Sequence, residues 1–314
     1  MKINNKILIL NYLFTYFNMV ATIINGSEIA KQMRLQIALQ VEEIKKQFRI
    51  TPTLAVILVG NNPASEVYVS NKEKSAHAVG MNSIQFKMAS DISESELVNK
   101  IIELNENKNV HGILVQLPLP KHINQANIIS TINPLKDVDG FHIVNVGKLS
   151  IGNIEGQEKA IVPCTPLGCM HLIKTIYGNN LAGLKTLVIG SSNIVGRPLA
   201  RLLMLAGCTV TIANRQTLNL KAECLQADVI FSATGVHNLI TADMVHQNSV
   251  VIDIGIVRVA DAFGKTKIVG DVDFDNVKNV VKAISPVPGG VGPMTISYLL
   301  QNTIDCCLQQ ISFH

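Results

Sequence analysis

The chain has 314 residues, room for about two domains, and with 47% hydrophobic and 16% charged residues it can bury a large core, which excludes a disordered protein. Aromatics at 4% and the absence of Trp argue against a stacking platform for single-stranded nucleic acid. A net charge of +4 without a long basic run argues against a nucleic-acid-binding face, although it suits anionic ligands such as phosphates and carboxylates.

The pattern opens on an apolar stretch, Ile7 to Phe17, behind Lys2 and Lys6. It is short for a bilayer span, Asn11 interrupts it, and no small-residue cleavage site follows cleanly. A signal or anchor and a translated leader ahead of a natural start at Met19 both fit it. No membrane partner is expected. From Ser27 onward helices and strands alternate. An amphipathic helix runs to about Phe48, with Ser27 as the expected N-cap. Leu54 to Val59 is a continuous apolar run between Pro52 and Gly60, the mark of a buried parallel strand. A helix over Ala64 to Val79 follows, then a strand over Ser83 to Met88, a helix over Ser93 to Asn105 and a strand over His111 to Leu117. Pro118 and Pro120 stop that strand. Ile123 to Ile132 reads as helix and Asn133 to Gly140 as a turn-rich loop. Pro166 to Tyr177 is a helix with Thr165 as expected N-cap, opening a second domain. Its strands are Thr186 to Ile189, Thr209 to Ala213, Val229 to Ser232 and Val250 to Ile254, with a crossover helix over Ile194 to Ala206. A last helix, Pro293 to Gln310, follows a Pro-Val-Pro-Gly-Gly loop. Such alternation specifies an α/β fold built on parallel sheets.

Lys185 to Pro198 reads as strand, tight turn and helix start, the local form that brings backbone N–H groups to a phosphate. Gly190 permits the turn and Gly196 the approach of helix to sheet, while Ser192 holds the middle position of the usual glycine pattern. A plain strand-to-helix turn is the simpler alternative. The strand Thr209 to Ala213 runs into Asn214-Arg215-Gln216-Thr217 without the acid that binds a ribose in NAD sites. Arg215 would instead meet a 2′-phosphate, which favours NADP, unless it is only a solvated arginine.

In the first domain Tyr68 and Lys72 stand four residues apart and share a helix face. A flat heteroaromatic ring stacked on Tyr68 would place its nitrogens within reach of Lys72. Gln116 lies at a strand end, where ligands gather in open α/β sheets. A buried lysine beside a neutral amide loses its proton more readily than one in water, as a proton shuttle near neutral pH requires. A surface Tyr–Lys pair at helical spacing is the competing view. Asp137 and Asp139 sit in the Pro- and Gly-flanked loop, where an acid would hold an aminopyrimidine edge or merely close an Asx turn. His142 is given no role. The segment Pro288-Gly289-Gly290-Val291-Gly292 is either a backbone-rich ligand contact or a hinge.

The six cysteines form no C-x-x-C pair and no His-Glu-x-x-His run exists, so no metal site is expected. They read as reduced thiols of a cytoplasmic protein.

Several motifs in order resemble one family. They are Gly112-Ile-Leu-Val-Gln116-Leu-Pro-Leu-Pro120, Lys136-Asp-Val-Asp139-Gly-Phe-His142, Pro163-Cys-Thr-Pro166, Gly190-Ser-Ser-Asn-Ile-Val-Gly196-Arg-Pro198, Gly270-Asp-Val-Asp273 and Pro286-Val-Pro-Gly-Gly-Val-Gly-Pro-Met-Thr295. With Val59-Gly60, Ser65, Tyr68 and Lys72, they are similar to the bifunctional methylenetetrahydrofolate dehydrogenase/cyclohydrolase (FolD) family. The resemblance implies Lys72 as central catalytic lysine, tuned by Gln116, with Tyr68 stacking on the folate and Asp139 holding its pterin end. Val115, Leu117 and Pro288 to Gly292 would complete the folate site. Gly190, Ser191, Ser192, Arg215 and Ile256 would bind NADP. It further implies a homodimer and an N-terminal α/β catalytic domain over residues 1–145, rejoined by a C-terminal helix over 288–314. A Rossmann-type domain over 146–287 would follow, with a cleft between the two. Ser191 stands where many relatives carry Arg, Asn214 replaces a frequent His, and Val257-Arg258 follows Ile256 where Asn is common. The implied chemistry is oxidation of 5,10-methylenetetrahydrofolate with NADP, then hydrolysis of the methenyl product to 10-formyltetrahydrofolate. Two rivals are another Rossmann-type dehydrogenase of a small acid and a non-catalytic folate- or nucleotide-binding protein. The first has no need of Gln116 or Asp139, and the second would need a broken lysine site.

Overall fold

The computed structural model describes residues 21–156, 158–260 and 266–312; the expected leader ahead of Met19 lies outside them. In chain order the elements are β1 (Thr22–Ile23), α1 (Gly26–Phe48), β2 (Thr53–Val59), α2 (Pro63–Ala78), β3 (Asn82–Met88), α3 (Glu94–Glu106), β4 (Gly112–Val115), α4 (Gln125–Thr131), α5 (Ile143–Ser150) and α6 (Cys164–Tyr177). Then come β5 (Lys185–Ile189), α7 (Gly196–Leu205), β6 (Thr209–Ala213), α8 (Leu220–Leu225), β7 (Val229–Ser232), β8 (Val250–Asp253), β9 (Val257–Ala260), β10 (Thr266–Val269), α9 (Phe274–Val277), β11 (Ala283–Ile284) and α10 (Val291–Ser312). They form two compact units. One comprises residues 27–169, 193–201 and 292–312, and the other residues 21–26, 170–192 and 202–291.

The first unit holds a parallel sheet in the order β3-β2-β4. All seven residues of β2 are buried, because both its faces are covered. Ala55, Ile57 and Val59 pack with Leu97, Ile101 and Leu104 of α3 and Ile128 of α4. The alternate residues Leu54, Val56 and Leu58 pack with Leu299 and Cys306 of α10. A further cluster joins α10 to α1 through Leu300, Ile304, Ile37 and Val41. Helix α3 starts on a capping box, in which Ser93 Oγ accepts from Glu96 N at 3.2 Å and Glu96 Oε2 accepts from Ser93 N at 2.8 Å. Its other end is closed by Lys136, 5% exposed, whose ammonium donates to the carbonyls of Leu104 (3.1 Å), Asn105 (2.8 Å) and Asn107 (2.8 Å). A cation there also complements the helix dipole.

The second unit holds a fully parallel sheet in the order β1-β11-β8-β7-β5-β6. From β5 the chain moves to β6 on one side, then returns past β5 to β7 on the other. This reversal makes a topological switch point between β5 and β7. A β9–β10 hairpin stands apart from that sheet.

Several boundaries differ from the sequence reading. Helix α1 begins at Gly26, so Ser27 is inside its first turn. Helix α6 begins at Cys164, so Thr165 is no N-cap; its hydroxyl pairs with that of Thr295 at 3.0 Å. Strand β4 ends at Val115, which leaves Gln116 just beyond it. Helix α5 was not expected, and His142 is its N-cap: Nδ1 accepts from Val144 N at 3.1 Å.

Candidate active site

The three-stranded sheet has its own switch point between β2 and β4, since the chain runs from β2 to β3 on one side and then returns past β2 to β4 on the other. Gln116 occupies it, its backbone N–H bonded to Ile57 O at 2.8 Å. Helix α2, the crossover that follows β2, carries Tyr68 and Lys72 one turn apart, both half-buried. Lys72 Nζ donates to Gln116 Oε1 at 2.9 Å, and Gln116 Nε2 donates to Leu117 O at 2.7 Å. Those partners fix the amide's orientation, because an ammonium needs an acceptor and a carbonyl needs a donor.

The electrostatics follow from burial. Desolvation pulls the Lys72 pKa below its usual value, opposed by the negative Asp139. Cys164 would oppose it too, but only as a thiolate. Burial pushes that thiol well above its usual range, so near neutral pH it adds no charge. Desolvation likewise raises the Asp139 carboxyl to about 6, and Lys72 pulls it back down. Lys72 is thus a lysine held by a neutral amide on one side and a reluctant carboxylate on the other.

The two acids of the loop part company. Asp137 is buried, and its Oδ2 accepts from His142 N at 2.8 Å and from Asn145 Nδ2 at 2.9 Å. It is spent on holding the start of α5. Asp139 is instead coupled to Lys72, and both acids line a small cavity with Val115, Leu117 and Phe141. Two residues missed in the sequence organise this loop. Asn302 of α10, 2% exposed, donates to Val138 O (2.8 Å), Val162 O (2.9 Å) and Cys164 Sγ (3.4 Å). Cys164 stands in the Pro163-Cys-Thr-Pro166 motif, which was a signal; Asn302 lies in an ordinary helical run and gave none.

In the second unit Gly190, Arg215 and Ile256 all follow the carboxyl ends of parallel strands of one sheet, the adjacent β5 and β6 and, beyond β7, β8. Gly190 has φ +112°, and a Cβ there would lie 2.4 Å from Ala233 O, so only glycine permits this turn at the switch point. Ser191 is half-buried and Ser192 exposed. Arg215 is exposed in a turn whose Asn214 N donates to Thr217 Oγ1 at 2.9 Å and whose Gln216 N donates to Asn214 Oδ1 at 2.9 Å. No carboxylate stands between β6 and that arginine, so the residues present fit a dinucleotide bearing a 2′-phosphate. The Pro288 to Gly292 segment is a turn into α10 rather than an open loop. Gly290 and Val291 are buried, Gly289 is half-buried, and Pro288 and Gly292 are exposed. Among the described residues no group of His, Cys, Asp or Glu is arranged to hold a metal.

A dinucleotide-type unit combined with an α/β unit carrying a desolvated lysine defines an enzyme of the two-unit α/β dehydrogenase class. Comparison with known proteins narrows this. The model for the tetrahydrofolate dehydrogenase/cyclohydrolase catalytic domain matches residues 24–139, and that for the NAD(P)-binding domain of the same family matches residues 163–311. The bifunctional protein FolD of Zymomonas mobilis subsp. mobilis is 51% identical, over 90% of this chain and 96% of its own. The crystal structure of the bifunctional FolD dehydrogenase/cyclohydrolase of Campylobacter jejuni superposes with a TM-score of 0.86 at 43% identity, covering 91% of this chain and 98% of that one. The Trypanosoma brucei methylenetetrahydrofolate dehydrogenase-cyclohydrolase, complexed with NADP and an inhibitor, gives 0.87 at 33% identity, covering 93% and 98%. The chain belongs to the tetrahydrofolate dehydrogenase/cyclohydrolase family.

Proposed function

We propose that this protein oxidises 5,10-methylenetetrahydrofolate to 5,10-methenyltetrahydrofolate with NADP and hydrolyses the product to 10-formyltetrahydrofolate. The observation that carries it is the Lys72–Gln116 hydrogen bond at the switch point of the three-stranded sheet, with the lysine desolvated beside Asp139. Tyr68 offers a ring face to the pterin, and Asp139 offers carboxylate acceptors to its amino edge. NADP, when bound, accepts the hydride from the bridging carbon. Lys72 then takes one proton as water adds to the methenyl carbon and returns it to N5 as the C–N5 bond breaks, while the remaining hydroxyl proton leaves to solvent as the formyl C=O forms, a relay that a depressed lysine pKa favours. Gln116 orients the amine without stabilising its charge as a carboxylate would. Gly190 to Ser192 and Ile256 receive the dinucleotide, Arg215 its 2′-phosphate, and Pro288 to Gly292 the folate through their backbone.

The domain reading goes with it: residues 1–145 with 288–314 for folate chemistry, and 146–287 for the dinucleotide. So does a cytoplasmic homodimer that supplies one-carbon units to purine biosynthesis, with neither nucleic acid nor membrane as partner. Among the described residues no helix is long and apolar enough to cross a membrane. Absorbance assays on the purified protein test the reading. Methylenetetrahydrofolate with NADP should yield NADPH, and methenyltetrahydrofolate alone should be hydrolysed. A protein that does neither would overturn it.

A further inference from the structure

Two buried carboxylates of the second unit take no part in the chemistry above. Asp271, 0% exposed, receives four hydrogen bonds from β7 and its loop: Ser232 Oγ (2.8 Å), Thr234 N (2.7 Å) and Thr234 Oγ1 (2.9 Å) on Oδ2, and Val236 N (3.1 Å) on Oδ1. Asp253, at the end of β8, accepts from Gly255 N (2.9 Å) and Asp271 N (3.0 Å) on Oδ1 and from Val272 N (3.0 Å) on Oδ2. The space for both is made by glycines. A Cβ on Gly255 would lie 2.0 Å from Asp271 Oδ1, and one on Gly270 would lie 1.9 Å from Asp253 Oδ2. Convergent donors of this kind call for an acceptor-only group, which a carboxylate is and an amide is not.

The location gives the network a purpose. Thr234 follows Ala233, whose carbonyl is the atom that Gly190 approaches and whose N–H bonds Ile189 O at 2.8 Å. A continuous path therefore runs from Asp271 through the β7 loop to the phosphate turn. A second runs from Asp271 N through the Asp253 carboxylate to Gly255 N and on to Ile256, with Gly255 packed against Asp271 Oδ1. The two loops present Val236 and Ile256, apolar yet 48% and 50% exposed, at the carboxyl edge of the sheet where dinucleotides bind.

We infer that Asp271, backed by Asp253, is a positioning residue for NADP, fixing the Thr234–Val236 and Gly255–Ile256 loops so that Val236 joins Ile256 in contact with the cofactor. The inference rests on the reading that places the cofactor at the Gly190–Ser192 turn. NADPH affinity by fluorescence titration and cofactor-free hydrolysis of methenyltetrahydrofolate, measured on the same preparations, test it. Asp271→Asn turns an amide N–H against these donors. Its dissociation constant for NADPH should rise roughly tenfold or more while hydrolysis stays within about twofold. An unchanged dissociation constant overturns the inference. If this variant loses both readouts or its fold, Thr234→Val and Thr234→Ser decide. Weakened NADPH binding in Thr234→Val with normal hydrolysis, restored in Thr234→Ser, upholds the inference, and wild-type affinity in Thr234→Val overturns it. A wild-type protein that hydrolyses the folate but binds no dinucleotide defeats the cofactor reading itself, before any variant is compared, and this inference falls with it.

Discussion

At Asp139 the folded protein holds a proton more tightly than the unfolded chain does, with a pKa of about 6 against an ordinary 3.8, because burial outweighs the attraction of Lys72. The associated stability is fully present below pH 3.8 and is lost as pH rises through about 6. At neutral pH the wild type therefore carries a penalty that Asp139→Asn removes. Urea unfolding should show the variant more stable at neutral pH, by up to about 3 kcal/mol, with the gain vanishing below the ordinary carboxylate pKa. An equal gain at both pH values would mean that packing, not charge, is responsible. Helical spacing put Lys72 on one face with Tyr68, but the pairing of Lys72 with Gln116, 44 residues away, came to the sequence reading through family resemblance. The division of labour between Asp137 and Asp139 was not readable there. Both sit in one loop, and only the unforeseen α5 shows that Asp137 is committed to His142 and Asn145. Asn302 was invisible for a related reason: its three acceptors come from segments 138 or more residues away in sequence.

At the scale of elements, strands such as β2 announce themselves by unbroken apolar runs, and the glycines and prolines that bound them placed most edges within a few residues. Strands β1 and β11, of two residues each, fall below the length at which any periodicity shows. Helix α5 follows the motif Asp139-Gly-Phe-His142, whose turn chemistry masks a histidine N-cap. Lys136 illustrates an interaction that joins elements. Its ammonium closes the end of α3, and its carbonyl accepts from Ile113 N at 2.7 Å on β4. Lys136→Met keeps the apolar stem and strands three carbonyls. Denaturant unfolding should show a loss of about 2 kcal/mol. A change below about 0.5 kcal/mol would show that water satisfies those carbonyls instead.

Across the whole molecule the chain is interleaved. Residues 21–26 group with the six-stranded sheet, and residues 292–312 with the three-stranded one. Hydropathy alone gives no sign of which sheet a terminal segment will join, so the return of α10 came to the sequence reading only through family resemblance. Cofactor preference also belongs to this scale, since it depends on the strand order that sets Arg215 beside the Gly190 turn. Arg215→Ala should raise the Michaelis constant for NADP roughly tenfold and leave that for NAD nearly unchanged, as expected for one charge-assisted bond. Parallel changes in both would reduce Arg215 to a loop support. In the proposed function Lys72, held by Gln116, moves the proton in hydrolysis. Cofactor-free hydrolysis of methenyltetrahydrofolate by Lys72→Ala tests it most directly, with NADPH affinity as the control for an intact fold. A loss of about a hundredfold or more with affinity retained is expected; hydrolysis at the wild-type rate would rule that role out.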